Sequence, residues 1–215
     1  MAFDFSETPI TLLLLLANIL VSGYALFSDT SLIDRLGFRP DRIREQREYY
    51  RYITAGFVHA GLGHLAFNMI TLYFFGPLLE LLLGTMSFLI LYFGSELAAH
   101  ALTYWRQQHN DAYNAVGASG AISGIVFAYC LFAPFSNLYL FFAVPIPAIV
   151  FALGFVAVSI YAMGKATEHG RMGRIAHEAH LGGALGGVLL TILLEPRAIQ
   201  VFLGELGAFL GRLGF

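Results

Sequence analysis

Six apolar runs of about twenty residues constrain this chain more than anything else in it. They cover approximately residues 9–27, 62–83, 85–103, 118–135, 141–163 and 176–194. About 20 helical residues cross the ~30 Å hydrocarbon core of a bilayer, where a segment must satisfy its own backbone hydrogen bonds. The expected fold is therefore an all-α membrane protein, one domain of six transmembrane helices over residues 1–195. Composition agrees, with 12% of residues charged, about half the share usual in soluble domains. Pro9 suits the first turn of the first helix, where its missing N–H is not needed. The start, "MAFDFSETP", is acidic and no small-residue cleavage site follows, so a retained helix is expected rather than a signal peptide. Residues 196–215, with glycines and two charges spread through their apolar end, are expected to be interfacial or frayed.

The net charge of −2 offers no basic patch for nucleic acid, and the single cysteine, Cys130, excludes an intrachain disulfide or a cysteine-built metal cluster. The first connection, residues 28–61, holds six of the arginines interleaved with Leu32, Ile33, Phe38, Tyr49 and Tyr50. That mixture points to amphipathic structure at the membrane interface, against a plainer reading as a solvated charged loop. Six spans put ten of the twelve Lys and Arg residues on the odd-numbered connections. A literal positive-inside count would hold those connections in the cytoplasm.

Ionisable groups inside spans default to functional candidates. The second span opens with "HAGLGHLAFN" and carries His64 and Asn68 one helical turn apart, with His59 just before it. The third holds Glu96 and His100, again four apart, whose plainest reading is mutual pairing. The sixth opens with "HEAHLGGALGG", and the fourth with "GASGAISG". The glycines in both are those of close helix packing, and packing alone would account for each. Together they admit chemistry as well. Ser119, at the start of one span, has in His180 a base at the glycine-rich start of another, and a serine nucleophile needs such a base. A first helical turn also has unpaired N–H groups that stabilise an oxyanion.

These residues resemble the rhomboid intramembrane serine proteases. The serine motif stands as Gly117-Ala118-Ser119-Gly120, with Gly124 a turn later. The sixth-span motif stands as Ala179, His180, Gly183 and Gly187, and the second-span pair as His64 and Asn68 with His59 upstream. The run "GPLLELLLG", with Glu80 and Gly84, looks like the family's turn after the second helix. The resemblance implies a Ser119–His180 dyad, an oxyanion site of His64, Asn68 and the Ser119 N–H, and packing roles for the glycines. It also implies no metal and no cofactor, single-pass transmembrane proteins as substrates, and a cell-membrane protein with its N-terminus in the cytoplasm. That orientation opposes the charge count, and is preferred because an interfacial first connection need not be translocated as a free loop.

Three positions depart from the family pattern: Tyr50-Arg51 stands for Trp-Arg, Ser123 stands where an aromatic often stacks on the histidine, and His177 precedes His180. Ser123 and His59 are taken as auxiliary positions. Among rivals, a metalloprotease fails because His177 and His180 are three apart, not the four of the helical zinc signature. A small transporter lacks visible repeats. A non-catalytic rhomboid relative that binds membrane clients is the main alternative. Span five with the segment from Met163 to Arg174 has the glycines and charges of a mobile cap over the site.

Overall fold

The computed structural model describes residues 5–140, 143–165, 176–212 and 214. Helix α1 (Pro9–Phe27) is followed by the short helices α2 (Ser31–Leu36), α3 (Pro40–Gln46) and α4 (Arg51–Thr54), and a 3-10 turn at Ala55–Phe57. Then come α5 (Leu62–Leu83), α6 (Thr85–Gln107) and α7 (Ser119–Phe132). A hairpin of β1 (Asn137–Leu140) and β2 (Val144–Pro147) leads to α8 (Ala148–Lys165), α9 (His177–Leu194) and α10 (Arg197–Arg212). Among the described residues four helices, α1, α5, α6 and α9, are long and apolar enough to span a membrane, while α7 and α8 contain shorter apolar stretches.

The surface is inverted relative to a soluble protein. On α1, Thr11, Asn18 and Ser22 are buried while Leu13, Leu16, Leu20 and Phe27 face outward. The buried three lie at i, i+7 and i+11, one helical stripe. On α6, Ser95, Glu96, His100 and Thr103 are buried while Met86, Ile90 and Leu97 are exposed. Polar groups turned inward and apolar groups outward are what hydrocarbon solvent selects, since lipid solvates leucine and leaves a polar group unpaired.

Helix α1 is anchored by a side chain from α5. Pro9 opens the helix, and the buried Glu80 accepts the Ile10 N–H at 3.0 Å and the Thr11 N–H at 2.8 Å. The same carboxylate accepts the Thr11 hydroxyl at 2.8 Å. An anion at a helix N-terminus satisfies orphan donors and complements the helix dipole. Gly84 alone joins α5 to α6, at φ +79°, a backbone that residues with a Cβ rarely adopt.

The centre of the fold is the packing of α6, α7 and α9, where α7 and α9 meet backbone to backbone. A Cβ on Gly183 would collide with the Gly120 carbonyl, and one on Gly187 with the Gly124 backbone. Against α6, a Cβ on Gly182 would sit 2.8 Å from the Ala98 carbonyl oxygen. Only glycine permits these approaches.

The first connection is folded and pinned to the core. Buried Phe38 pairs by backbone with Ala115 and stacks on His100, with ring centroids 4.3 Å apart. Buried Arg51 donates to Glu48 at 2.6 Å and to the carbonyls of Asp34 and Gly37 at 2.9 and 2.6 Å. Arg44 bonds Asp111 and the Gln108 carbonyl across to the third connection.

Two expected boundaries change. The fifth apolar run begins as a strand, not a helix: Asn137 pairs with Pro147 and Tyr139 with Pro145, and the helix starts at Ala148. Pro145 and Pro147 cannot donate in a helix interior, and apolarity alone does not separate a strand from a helix. The C-terminal segment, expected to be interfacial or frayed, is a 16-residue helix, which removes only the frayed alternative, with Phe209 stacked on Phe135 at 4.2 Å. Its glycines lower helix propensity by about 1 kcal/mol each, and that contact with the core opposes them. Of the suggested cap from Met163 to Arg174, residues 166–174 lie outside the described residues.

Candidate active site

Helix α7 begins at Ser119, and its first-turn N–H groups are distributed unequally. The Ala118 N–H points to His59 Nε2 at 3.4 Å, and the Ala121 N–H donates to Glu96 at 2.8 Å. The N–H groups of Ser119 and Gly120 have no protein acceptor among the described residues. Two adjacent donors, at the positive end of a helix, are left free beside one hydroxyl.

That hydroxyl lies 2.8 Å from His180 Nε2. Ser119 comes from α7 and His180 from the first turn of α9, and the Gly120–Gly183 approach lets the two helix starts converge. Both side chains are partly buried. With the hydroxyl donating, Nε2 is the unprotonated nitrogen and the proton resides on Nδ1.

The His180 ring is held by an aromatic that no sequence pattern indicated. Phe155 of α8 stacks on it, with centroids 5.9 Å apart and planes 29° from parallel, and His177 meets it edge-on at 6.4 Å. Ser123 instead donates to the Ser119 carbonyl at 2.8 Å, an interaction along its own helix. Phe155 has no periodic or charged signature in its apolar run, so only tertiary packing reveals it.

Helix α5 supplies the opposite wall. Asn68 is buried, and its side-chain nitrogen has no hydrogen-bond partner among the described residues. An unpaired buried amide donor is unfavourable by about 1–3 kcal/mol, so its persistence marks a place where an acceptor belongs. His64, one turn earlier, packs over Gly117, where a Cβ would lie 2.8 Å from His64 Nε2. Gly117 has φ +113°, so this position requires glycine both for its backbone and for the ring above it.

His59 supports this wall from the loop before α5, with its ring 5.0 Å from that of His64. Its Nδ1 is 2.8 Å from Ser22 Oγ, and Ser22 donates to the Phe57 carbonyl at 2.9 Å. Ser22 has one hydrogen and has spent it on Phe57, so His59 Nδ1 must be the donor and Nε2 the acceptor for Ala118. Burial, with the charge of neighbouring His64 second, pushes His59 down to about 3, so it stays neutral near pH 7.

Gly124 completes the helix contact at Gly187, away from the hydroxyl. Glu178 points elsewhere, accepting from Gln107 Nε2 at 2.8 Å. The structure thus places His180 on Ser119 and His64 over Gly117, two residues before that serine, with His59 behind His64 and Asn68 one turn further along α5.

Residues 46–197 match the Rhomboid domain family. The chain belongs to the rhomboid family. It is 34% identical over 146 residues to the rhomboid-protease homologue YdcA of Bacillus subtilis (strain 168), covering 68% of this chain and 67% of that protein. It is 31% identical over 140 residues to the mitochondrial Rhomboid protein 1 of Saccharomyces cerevisiae, covering 64% of this chain and 39% of the yeast protein. The rhomboid protease GluP of Bacillus subtilis is 28% identical over 176 residues, with 80% of this chain but 31% of GluP covered. The match thus spans about two thirds of YdcA and well under half of the other two. This rhomboid is a membrane-embedded helical protein, as its outward-facing apolar helices and inward polar groups require.

Proposed function

We propose that this rhomboid is an intramembrane serine endopeptidase that cleaves single-pass transmembrane proteins. The observation that carries the reading is the 2.8 Å contact between Ser119 Oγ and His180 Nε2 beside two free backbone N–H groups. Ser119 attacks the scissile carbonyl carbon while His180 Nε2 takes its proton, which raises the nucleophilicity of an otherwise weak hydroxyl. The carbonyl oxygen becomes an oxyanion, held by the Ser119 N–H, the unpaired Asn68 amide and His64. Each such donor contributes about 3–4 kcal/mol to the transition state. The intermediate collapses as the C–N bond breaks, and His180 passes the proton to the leaving amine. Water then attacks the acyl-enzyme, with His180 again as base, and releases the second product. None of these steps calls on a metal or cofactor.

The length of α7 supports cleavage within the membrane. Its 14 residues give about 21 Å of helix, roughly 10 Å short of the ~30 Å hydrocarbon core. A six-span arrangement therefore sets Ser119 below one membrane surface rather than at it. We place the protein in a cell membrane with its N-terminus in the cytoplasm, which puts Ser119 toward the opposite face.

The test is a reconstituted cleavage assay with a generic single-pass substrate, comparing wild type, Ser119→Ala and His180→Ala. Cleavage by wild type alone is expected. Equal cleavage by all three sinks the reading. Client binding that persists in Ser119→Ala without any proteolysis by wild type would favour a non-catalytic binding role instead.

A further inference from the structure

Behind Ser119, in the middle of α6, lies a buried polar pair that the proposed chemistry does not use. Glu96 is 2% exposed, and its Oε2 accepts the Ala121 N–H at 2.8 Å. Its Oε1 has no hydrogen-bond partner among the described residues and faces His100 Nε2 at 3.7 Å. His100 Nδ1 is 2.8 Å from the Tyr52 carbonyl oxygen. A carbonyl only accepts, so Nδ1 carries the hydrogen, and a neutral His100 presents the Nε2 lone pair to Glu96. A carboxylate oxygen opposite a lone pair would be two buried acceptors facing each other. That arrangement is strongly unfavourable unless a proton lies between them. The proton sits either on the carboxyl, as O–H facing nitrogen, or on the imidazole, as N–H facing carboxylate. In both forms the pair has zero net charge.

The surroundings are shaped to this pair. A Cβ on Gly56 or on Gly120 would come within 2.8 Å of a Glu96 carboxyl oxygen. Phe38, from the first connection, lies flat on His100 with planes 2° from parallel. One end of the pair therefore holds the first connection through Phe38 and Tyr52, and the other holds the third residue of the Ser119 helix.

We propose that Glu96 and His100 share one proton and act as a positioning pair for the Ser119 turn. The proposal rests on Ser119 being the nucleophile. By taking the Ala121 N–H, Glu96 fixes the rotation of that turn and leaves the Ser119 and Gly120 N–H groups for the reaction. Because the pair is neutral overall, it does not oppose an oxyanion forming nearby, whereas a lone buried carboxylate would.

The test uses Glu96→Gln, whose oxygen accepts from Ala121 and whose amide donates to His100, so it reproduces the shared-proton geometry. In liposomes with a single-pass reporter, Glu96→Gln is expected to keep close to the wild-type kcat. Glu96→Ala should lose about 100-fold in kcat, with KM little changed. Independently of activity, the shared proton is read by difference infrared spectroscopy of wild type against Glu96→Gln, together with 15N NMR of His100. A protonated-carboxyl stretch from Glu96 or an imidazolium His100 is expected. Neither signal, an unimpaired Glu96→Ala, or a Glu96→Gln as impaired as Glu96→Ala would overturn the proposal. If Glu96→Ala does not fold, the spectra and Glu96→Gln still decide. Failure of the protease reading shows separately, as equal cleavage by wild type and Ser119→Ala with the spectroscopic result intact.

Discussion

Phe155 of α8 stacks on His180 at 5.9 Å, while Ser123, one turn after Ser119, bonds back to the Ser119 carbonyl. The ring that stacks on His180 comes from a neighbouring helix instead of from the serine's own. Replacing Phe155 by Ala should lower kcat about tenfold by loosening His180, since small misplacements of a catalytic group are expensive in rate. Ser123→Ala should change kcat little, because a hydroxyl bonding the i−4 carbonyl contributes little to its helix. Steady-state cleavage of a reporter by the two variants checks this, and the reverse ranking would refute it.

Asn68, one turn after His64 on α5, holds a buried donor with no partner among the described residues. Asn68→Ala is expected to cost about 10²–10³ in kcat, the usual effect of removing one oxyanion donor. Its unfolding midpoint should not fall, since the amide nitrogen has no partner among the described residues to lose. Parallel kinetics and thermal denaturation separate the two effects.

Gly183 faces the Gly120 carbonyl with no room for a side chain. Gly183→Ala must part α7 from α9, and overpacking of this kind destabilises by about 1–3 kcal/mol. Cleavage should be lost as well, because the same contact brings Ser119 to His180. A Gly204→Ala control on α10, where a Cβ meets nothing within 4 Å, should gain slightly in stability. Measurement of unfolding in micelles distinguishes them.

Glu80 satisfies three donors at the start of α1. Glu80→Ala leaves all three unpaired and two of them buried, and a loss of at least about 3 kcal/mol is expected at 1–3 kcal/mol for each such group. Limited proteolysis should then release α1 earlier than in wild type.

His59 is neutral when folded, with its pKa pushed down to about 3, and ordinary at 6.5 when unfolded. Below pH 6.5 the unfolded chain therefore binds a proton that the folded protein refuses, so stability falls as pH drops from 6.5 toward 3. His59→Gln should flatten this slope in unfolding experiments between pH 7 and pH 5. An unchanged slope would exclude His59 as a contributor.

The sequence by itself determined the solvent and the class, and it pointed to the candidate site. Charge-poor apolar runs can be solvated only by lipid, and Ser119 and His180 stand out because a hydroxyl and an imidazole sit at the glycine-rich starts of two spans. Tertiary structure decided the rest. The apolar run after Phe135 contains both a hairpin and a helix, since hydropathy records burial and not backbone conformation, and only strand pairing and the two prolines separate them. Phe155 was invisible because a stacking ring in an apolar helix looks like any lipid-facing phenylalanine until a histidine is seen beneath it. Glu96 was visible only as a pair with His100. Its grip on the Ala121 N–H, 25 residues along the chain, arises because glycines at 56 and 120 let two helices and a loop close around one carboxyl group. Contacts of that kind depend on which faces meet, and one-dimensional spacing does not record it.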